Sequence, residues 1–296
     1  MRVACGAAEL FAGGNVLSPV KAIVLAVLCT LCAAAWAESL SFTSSDGVRL
    51  NYLDEGAGET LLFVPGWLMP AEIWRPQIDH FSRGYRVVAF DPRSQGNSQI
   101  AASGNEIRRR AEDLHELIEH LQQRRVVLVG WSLGVLETLL YLNKHGDERL
   151  AALVLVDNSI GEMPPQSGDE EIRYDVVRDR KRDMAQYVGA LFRKPQPPEY
   201  LDWLTGETLR APPEVGVSLL VIPYGRSFWR SAVYQTRKPL LYVVTPSLNG
   251  QARTLQKRRS GTSIEVFADA GHALFVDDYE RFNAVLEDFL QKALAP

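Results

Sequence analysis

Residues Val126–Gly134 read VVLVGWSLG, a β-branched run that ends in the pattern Gly-x-Ser-x-Gly. The apolar stretch that follows, Val135–Leu140, is typical of a helix, so the order is strand, sharp turn and helix. A serine in such a turn has a strained backbone, and the flanking glycines leave room for strand and helix to close around it. We therefore predict that the Ser132 hydroxyl points out of a sheet, although a glycine-flanked turn before an ordinary helix has the same pattern.

Seven other short apolar runs predict strands on either side of this one. The first two flank Asp46-Gly47, which favours a hairpin turn, so the chain enters as an antiparallel edge. The predicted strands are Ser39–Thr43, Val48–Leu53, Thr60–Val64, Tyr85–Phe90, Val126–Val129, Leu153–Val156, Pro239–Val244 and Ser263–Phe267. Because helical segments separate the later, almost wholly apolar runs, we predict an α/β fold with a mostly parallel eight-stranded sheet and helices on both faces.

The clearest helical pattern lies ahead of the serine strand. Its apolar residues recur every three or four positions between charges such as Arg109, and they are Ile107, Ala111, Leu114, Leu117, Ile118 and Leu121. About eighty residues without strand alternation follow Val156, and this length is too great for a plain crossover. We predict a helical cap insertion at about 159–237, and we interpret its charged part, Asp169–Arg182, as a solvated helix face.

The first 37 residues differ in character from the rest of the chain. Lys21 precedes an apolar run that continues to Ala35, and Ala35-Trp36-Ala37 has the small-x-small form of a signal-peptidase site. A membrane anchor is the weaker alternative, because Ala22–Trp36 has 15 residues and a span needs about 20. We predict a signal peptide at 1–37, a single α/β domain at 38–296, and a periplasmic or secreted location.

Composition limits the partners and cofactors of the exported chain. All three cysteines, Cys5, Cys29 and Cys32, fall in the leader, so neither a disulfide framework nor a cysteine metal site remains. Cleavage leaves 30 basic and 35 acidic residues, a formal charge of −5, which argues against nucleic acid as a partner. We predict no cofactor, no metal and no stable membrane span, and the oligomeric state stays open.

A serine nucleophile needs a general base within hydrogen-bond reach, and His272 is the best placed of the five histidines. It follows the last predicted strand, in a loop at the carboxyl edge of the sheet. The other four, His80, His115, His120 and His145, fall in or at the end of predicted helices. His115 and His120 would point about 140° apart on a helix and miss the spacing of a helical zinc site. We therefore predict His272 as the base.

Four motifs together resemble the α/β-hydrolase superfamily over essentially all of the exported chain. They are Gly130-Trp131-Ser132-Leu133-Gly134, Pro65-Gly66-Trp67, Asp91-Pro92-Arg93-Ser94-Gln95-Gly96-Asn97-Ser98 and Gly271-His272. The resemblance implies a capped serine hydrolase with Ser132 as nucleophile, in which the backbone amides of Trp67 and Leu133 form the oxyanion hole. Pro65 departs from the pattern, because many relatives have histidine at that position.

The triad acid is the larger departure. In most of the superfamily it follows the strand equivalent to Leu240–Val244, yet Thr245–Thr262 contains no Asp or Glu. Asp157 follows the preceding strand, at a position that relatives resembling haloalkane dehalogenases use for this acid. We predict that Asp157 orients His272. In the alternative, Asp157 only accepts hydrogen bonds from amides at the start of the cap. The acid beside the histidine is then a cap carboxylate such as Glu162, or the site has no acid and consists of Ser132 and His272.

These residues predict a hydrolase that acts on a carboxylic ester or related small-molecule acyl substrate through an acyl-enzyme. Carbon–carbon bond hydrolysis or perhydrolysis on the same triad is an alternative. A non-catalytic binding protein with the hydrolase fold is another, and the missing acid after Val244 favours it. Trp67, Trp131 and Trp229 are more typical of core or cap packing than of an apolar acyl pocket, and no feature identifies a particular ester.

Overall fold

The computed structural model describes residues 38–162 and 180–295. The predicted signal peptide at 1–37, with its three cysteines, lies outside the described residues. Most of the charged run Asp169–Arg182 lies outside them as well, so its interpretation as a solvated helix face stays a prediction.

Eight strands form a single sheet. They are β1 (Glu38–Thr43), β2 (Arg49–Gly56), β3 (Thr60–Val64), β4 (Arg86–Asp91), β5 (Val126–Trp131), β6 (Leu150–Val156), β7 (Leu240–Val244) and β8 (Thr262–Val266). Their order across the sheet is β1-β2-β4-β3-β5-β6-β7-β8. The β1–β2 and β2–β4 pairs are antiparallel, and every later pair is parallel. The predicted mostly parallel, eight-stranded α/β sheet is confirmed.

The described helices lie between and after the strands. They are α1 (Arg75–Phe81), α2 (Ile107–His120), α3 (Leu133–His145), α4 (Arg180–Ala190), α5 (Pro198–Arg210), α6 (Pro213–Leu219), α7 (Arg226–Gln235), α8 (Asn249–Arg258), α9 (Leu274–Asp277) and α10 (Tyr279–Ala293). Helices α4 to α7 belong to the segment between β6 and β7, which we call the insertion. Among the residues that the structure describes, no helix combines the length and the apolar character needed to cross a membrane.

Each face of the sheet carries its own apolar core. In β5, Val126 and Leu128 belong to one cluster of buried side chains, whereas Val127, Val129 and Trp131 belong to the other. Successive side chains of a strand point to opposite faces, so a strand covered on both sides must be apolar throughout. All six residues of β5 are indeed buried.

Helix α2 buries the apolar face that its periodicity predicts, and two charged side chains are buried on this helix as well. Ile107 and Leu114 are at most 1% exposed, and Arg110 and Asp113 are 0% exposed. Arg110 lies three residues after Ile107 and four before Leu114, so it shares their side of the helix. A buried charge requires a partner, and Arg110 has its Nε 2.8 Å from Oε1 of Glu137 on α3.

The carboxyl ends of the parallel strands meet at one edge of the sheet, where α/β proteins place their sites. The residues that begin the loops there are Pro65 after β3, Ser132 after β5, Asp157 after β6, Thr245 after β7 and Phe267 after β8. Segments far apart in the sequence therefore converge at this edge.

Candidate active site

Ser132 lies between β5 and α3, in the sharp turn that the sequence predicts. Its φ of 55° and ψ of −122° form a strained conformation for a residue with a side chain. The surrounding backbone is close: a Cβ on Gly130 would lie 2.5 Å from the Gly134 oxygen, and a Cβ on Gly134 would lie 2.5 Å from the Val64 oxygen. Glycine is therefore required at both positions for α3 to pack against the strands.

His272 lies in the loop after β8, and its ring faces the serine. Its Nε2 is 2.8 Å from Oγ of Ser132, the separation expected of a nucleophile and its general base. Two backbone contacts fix this loop. The indole N–H of Trp131 donates to the His272 carbonyl at 2.9 Å, and the amide of Ala273 donates to the Leu191 carbonyl of the insertion at 2.9 Å.

Asp157 follows β6 and contacts the second nitrogen of the imidazole. Its Oδ2 lies 2.8 Å from Nδ1 of His272, and its Oδ1 accepts hydrogen bonds from the Thr245 amide at 2.7 Å and the Thr245 hydroxyl at 2.9 Å. A carboxylate only accepts, so a neutral His272 carries its proton on Nδ1 and leaves Nε2 free to accept from Ser132. The three side chains form one hydrogen-bonded chain with the polarity that proton transfer from serine requires.

The carboxylate considered as an alternative acid, Glu162, contacts a different group. Its Oε2 accepts a hydrogen bond from Nη1 of Arg258 at 3.1 Å. The backbone of Asp157, in contrast, is held in place for His272: its φ is 47°, and its amide donates to the Val243 carbonyl at 2.8 Å. The structure thus brings Asp157, and not Glu162, to the histidine.

Asn158 joins the acid loop to the serine turn. Its Nδ2 donates to the Ser132 carbonyl at 2.7 Å, and its own carbonyl accepts from the Tyr242 hydroxyl at 2.8 Å. Burial, together with the charge of Asp157, holds the pKa of Tyr242 well above its usual value. Tyr242 therefore stays a neutral hydrogen-bond donor at physiological pH.

The two predicted oxyanion-hole residues lie in segments that adjoin the serine. Leu133 is the first residue of α3, and the first amides of a helix have no acceptor within the helix. The loop after β3 passes directly beside the turn, since a Cβ on Gly66 would lie 2.9 Å from Cβ of Ser132, and Trp67 is the next residue. Two backbone segments next to a nucleophile are what an oxyanion hole requires.

The insertion fixes Trp67 through two hydrogen bonds. The Tyr187 hydroxyl on α4 donates to the Trp67 carbonyl at 3.1 Å, and the Trp67 indole N–H donates to the Gly216 carbonyl on α6 at 2.9 Å. The rings of Trp67 and Tyr187 also meet edge to face, with centroids 5.0 Å apart. The insertion is therefore a structural support of the loop after β3.

The insertion also contacts the histidine loop through Asp277 on α9. This carboxylate accepts from the Gly271 amide at 2.7 Å and from the Arg193 amide at 2.7 Å. It further accepts from the Lys194 amide at 3.3 Å and the Gln196 side chain at 3.0 Å. One buried carboxylate thus links the residue before His272 to the chain that follows α4.

Sequence reasoning does not find three of these side chains. Gln95 holds the loop after β3 through hydrogen bonds to the backbone of Leu68 and Met69. Its only indication in the sequence is its place inside the Asp91–Ser98 motif. Thr245 supports Asp157, and it stands where most of the superfamily has the acid itself. Asp277 has no sequence signal, because an aspartate at the end of a short helix is ordinary.

The tryptophans and the other histidines have the packing roles that the sequence favours. Trp67, Trp131 and Trp229 are 5%, 0% and 6% exposed, and Trp229 packs against Tyr224 and Phe228 within the insertion. The four remaining histidines lie in helices, at His80 of α1, His115 and His120 of α2, and His145 of α3. The His115 and His145 rings stack at 3.8 Å.

Comparison with known proteins gives consistent matches. A family profile described as alpha/beta hydrolase fold matches residues 59–262. A candidate non-heme chloroperoxidase of Synechocystis sp. is 26% identical over 274 residues, 84% of this chain and 97% of that protein. A non-heme haloperoxidase of Rhodococcus erythropolis is 38% identical over 124 residues, 42% of this chain and 44% of that protein, so this match spans less than half of the relative. The solved structure of a candidate aryl esterase from Burkholderia cenocepacia has a TM-score of 0.78 at 26% identity, and the match covers 88% of this chain and 100% of that one.

The chain belongs to the α/β-hydrolase family, since the profile spans well over half of it. The resemblance inferred from the four motifs is confirmed. Its relatives carry the names of esterases, haloperoxidases and hydrolases, and the chain is accordingly an enzyme of this fold.

Proposed function

We propose that the chain is an exported serine hydrolase that cleaves a carboxylic ester or related acyl substrate through an acyl-enzyme on Ser132. One observation carries the proposal: hydrogen bonds of 2.8 Å link Ser132 to His272 and His272 to Asp157. A solved structure with the same fold is that of a candidate aryl esterase, which supports an acyl substrate.

In acylation, His272 acts first as a base and then as an acid. The Oγ of Ser132 attacks the carbonyl carbon of the ester while its proton passes to Nε2 of His272. The carbonyl oxygen becomes an oxyanion that the amides of Trp67 and Leu133 stabilise. As the carbon–oxygen bond to the alcohol breaks, His272 returns the proton to the departing alkoxide, and Asp157 stabilises the imidazolium formed in between.

Deacylation repeats these steps with water as the nucleophile. His272 takes a proton from the water, the hydroxyl adds to the acyl carbon, and the bond to Ser132 breaks as the serine oxygen regains a proton. The products are a carboxylic acid and the free enzyme. Hydrogen peroxide in place of water would yield a peracid, and this second candidate activity is favoured by the haloperoxidase name of a relative.

Labelling with a fluorophosphonate probe tests the nucleophile directly. The folded protein should take up one probe molecule, and peptide mass spectrometry should find it on Ser132. Ser132→Ala should abolish the label, and His272→Ala should slow it strongly because the base is lost. Ser231→Ala, an exposed serine on α7, is the matched control and should label normally. Folded protein without label would favour the non-catalytic binding protein.

Turnover assays separate the remaining alternatives. A series of p-nitrophenyl esters of increasing acyl length measures ester hydrolysis, and added hydrogen peroxide with a peracid-sensitive dye measures perhydrolysis. A β-diketone substrate tests carbon–carbon bond hydrolysis. Ester turnover that exceeds the other two by orders of magnitude supports the proposal, whereas turnover of the diketone alone contradicts it.

The export part of the proposal rests on the sequence of the leader. The apolar run to Ala35 and the Ala35-Trp36-Ala37 site favour cleavage after Ala37, and β1 begins at the next residue, Glu38. Intact-mass analysis of protein recovered from the extracytoplasmic fraction should show Glu38 as the first residue. A full-length product in the cytoplasm would contradict export.

A further inference from the structure

The loop after β3 contains a peptide group whose orientation decides whether an oxyanion hole exists. A trans peptide directs its C=O and its N–H to opposite sides, and every peptide bond in the described part of the chain is trans. The Gly66 carbonyl and the Trp67 amide belong to the same peptide. Whatever holds the Gly66 carbonyl away from the site therefore turns the Trp67 amide toward it.

Gln95 is the side chain that holds this carbonyl. It is 1% exposed, and its Nε2 donates to the Gly66 carbonyl at 3.3 Å and to the Met69 carbonyl at 2.8 Å. The Met69 amide, within the loop itself, also donates to the Gly66 carbonyl at 3.3 Å, so Gln95 is the donor that comes from outside the loop. Its Oε1 accepts from the Leu68 amide at 3.1 Å. One side chain thus satisfies three backbone groups of a four-residue loop, and Leu68 within that loop has a strained φ of 56°.

The orientation of the Gln95 amide is fixed by a residue that can only donate. Nη1 of Arg110 lies 2.7 Å from Oε1 of Gln95, and a guanidinium has no acceptor. The oxygen of Gln95 must therefore face Arg110, and its NH₂ group must face the two carbonyls. A buried Arg110 removes the ambiguity that an amide side chain otherwise has.

The same chain of contacts ends on the helix that supplies the second amide. Glu137 is 1% exposed and has Oε1 2.8 Å from Nε of Arg110, and it lies one turn into α3, whose first residue is Leu133. The Trp67 peptide and the Leu133 helix are thus connected through Gln95, Arg110 and Glu137. No part of this connection passes through the serine, histidine or aspartate.

We infer that Gln95, oriented by Arg110, sets the direction of the Trp67 amide and is a positioning residue for the oxyanion hole; this inference rests on the proposed function. It also accounts for Pro65, which stands where many relatives have histidine. Gln95, in the loop after the neighbouring strand β4, supports the loop after β3 from the side of the sheet, in addition to the contacts that the insertion makes to Trp67.

Gln95→Glu tests the inference with a side chain of the same shape. The substitution keeps the acceptor for Arg110 and Leu68 but replaces the NH₂ donor by a carboxylate oxygen, which repels both carbonyls. We expect kcat for a p-nitrophenyl ester to fall by roughly 10²- to 10³-fold, the loss seen when one oxyanion donor is removed, with KM nearly unchanged. Gln95→Met also lacks the donor and should give a similar loss of kcat. It replaces the charged variant as the test if that variant does not fold.

Gln99→Glu is the matched control. Gln99 lies in the same loop and is exposed, and its Oε1 accepts from the Arg49 amide at 3.0 Å. Its kcat should equal that of the parent. A purely structural role of Gln95 would instead lower the melting temperature and leave kcat per fluorophosphonate-titrated site unchanged, and that result would overturn the inference.

A crystal structure of Gln95→Glu or Gln95→Met gives an answer that does not depend on turnover. We expect the Gly66 carbonyl to leave its position beside residue 95 in these variants, and a carbonyl that stays there overturns the inference. If the parent protein hydrolyses no ester, the proposed function fails, while this structural outcome still decides whether Gln95 sets the peptide.

Discussion

Replacing Asp157 by asparagine separates an acid that orients the histidine from one that only accepts amides. In the parent, Oδ1 of Asp157 faces two donors, the amide and the hydroxyl of Thr245, and Oδ2 faces Nδ1 of His272. The backbone amide of Thr245 can only donate, so in the Asp157→Asn variant the single oxygen of the carboxamide takes the Oδ1 position. The NH₂ group then faces Nδ1, which must accept, and the histidine proton moves to Nε2.

This tautomer blocks the reaction without disturbing the fold. A protonated Nε2 cannot take the proton of Ser132, and the same change in serine-protease triads lowers kcat by about 10⁴, equivalent to about 5.5 kcal/mol of transition-state stabilisation. Asparagine tolerates a positive φ as readily as aspartate, so the φ of 47° at this position need not change. We expect the melting temperature to stay close to that of the parent and KM to change little.

The assay is steady-state turnover of a p-nitrophenyl ester together with thermal melts. Asp147→Asn is the matched control, because Asp147 accepts from the Thr236 hydroxyl at 2.8 Å and the Arg237 amide at 3.2 Å but does not contact the histidine. The control should lose at most about 1 kcal/mol of stability and no turnover. If Asp157→Asn keeps its turnover within tenfold of the parent, the tautomer argument is refuted.

Three further predictions concern the supporting residues. Thr245→Val removes the hydroxyl donor to Asp157 but keeps the amide, so the free energy of unfolding, measured with urea, should fall by about 1 kcal/mol, and an unchanged midpoint would contradict this. Burial raises the pKa of Glu137 to about 7 from an ordinary value of 4.5. Between these pH values the folded protein binds more protons than the unfolded chain, so this group should lower the unfolding free energy as pH rises from about 4.5 to 7. Glu137→Gln should therefore make the unfolding free energy vary less with pH over that range. Asp277→Asn replaces one of two acceptor oxygens by an NH₂ group that faces N–H donors, so it should lower both the melting temperature and kcat. Asp278→Asn, at the neighbouring and more exposed position, removes only a solvent-exposed ion pair with Lys194 at 3.5 Å and should lower neither.

Strand and helix patterns predict the architecture because burial on both faces leaves a strong signal in each segment. The predicted strands match the observed ones to within a few residues, and their differences have local causes. The apolar pattern places Pro239 at the start of β7, but the strand begins at Leu240, since proline has no amide hydrogen for the ladder. The order of strands across the sheet is set by long-range pairing, which periodicity within one segment does not report.

The residues that touch the histidine are predicted from motifs, whereas their supports are not. Ser132 and His272 follow from the turn and the loop. Asp157 is predicted as the acid with capping as an alternative, because an aspartate at the start of the insertion can also serve only to accept amides. Arg110 lies on the apolar side of α2, where a charge is not expected. Its role depends on Glu137 and Gln95 from two other segments, and only the folded chain brings those together.

The contacts of the insertion also limit how this enzyme can be rebuilt as a chimera. Suppose that the whole segment between the end of β6 and the start of β7 is replaced by that of a relative. Tyr187, Leu191 and Gly216 are then lost together. They supply the hydroxyl donor and the carbonyl acceptor that hold Trp67, and the carbonyl acceptor that holds the loop of His272. A chimera designed to change substrate preference should therefore keep α4 and the chain to Gln196 from the host. The donor segment should begin at α5 and must still present a backbone carbonyl to the Trp67 indole.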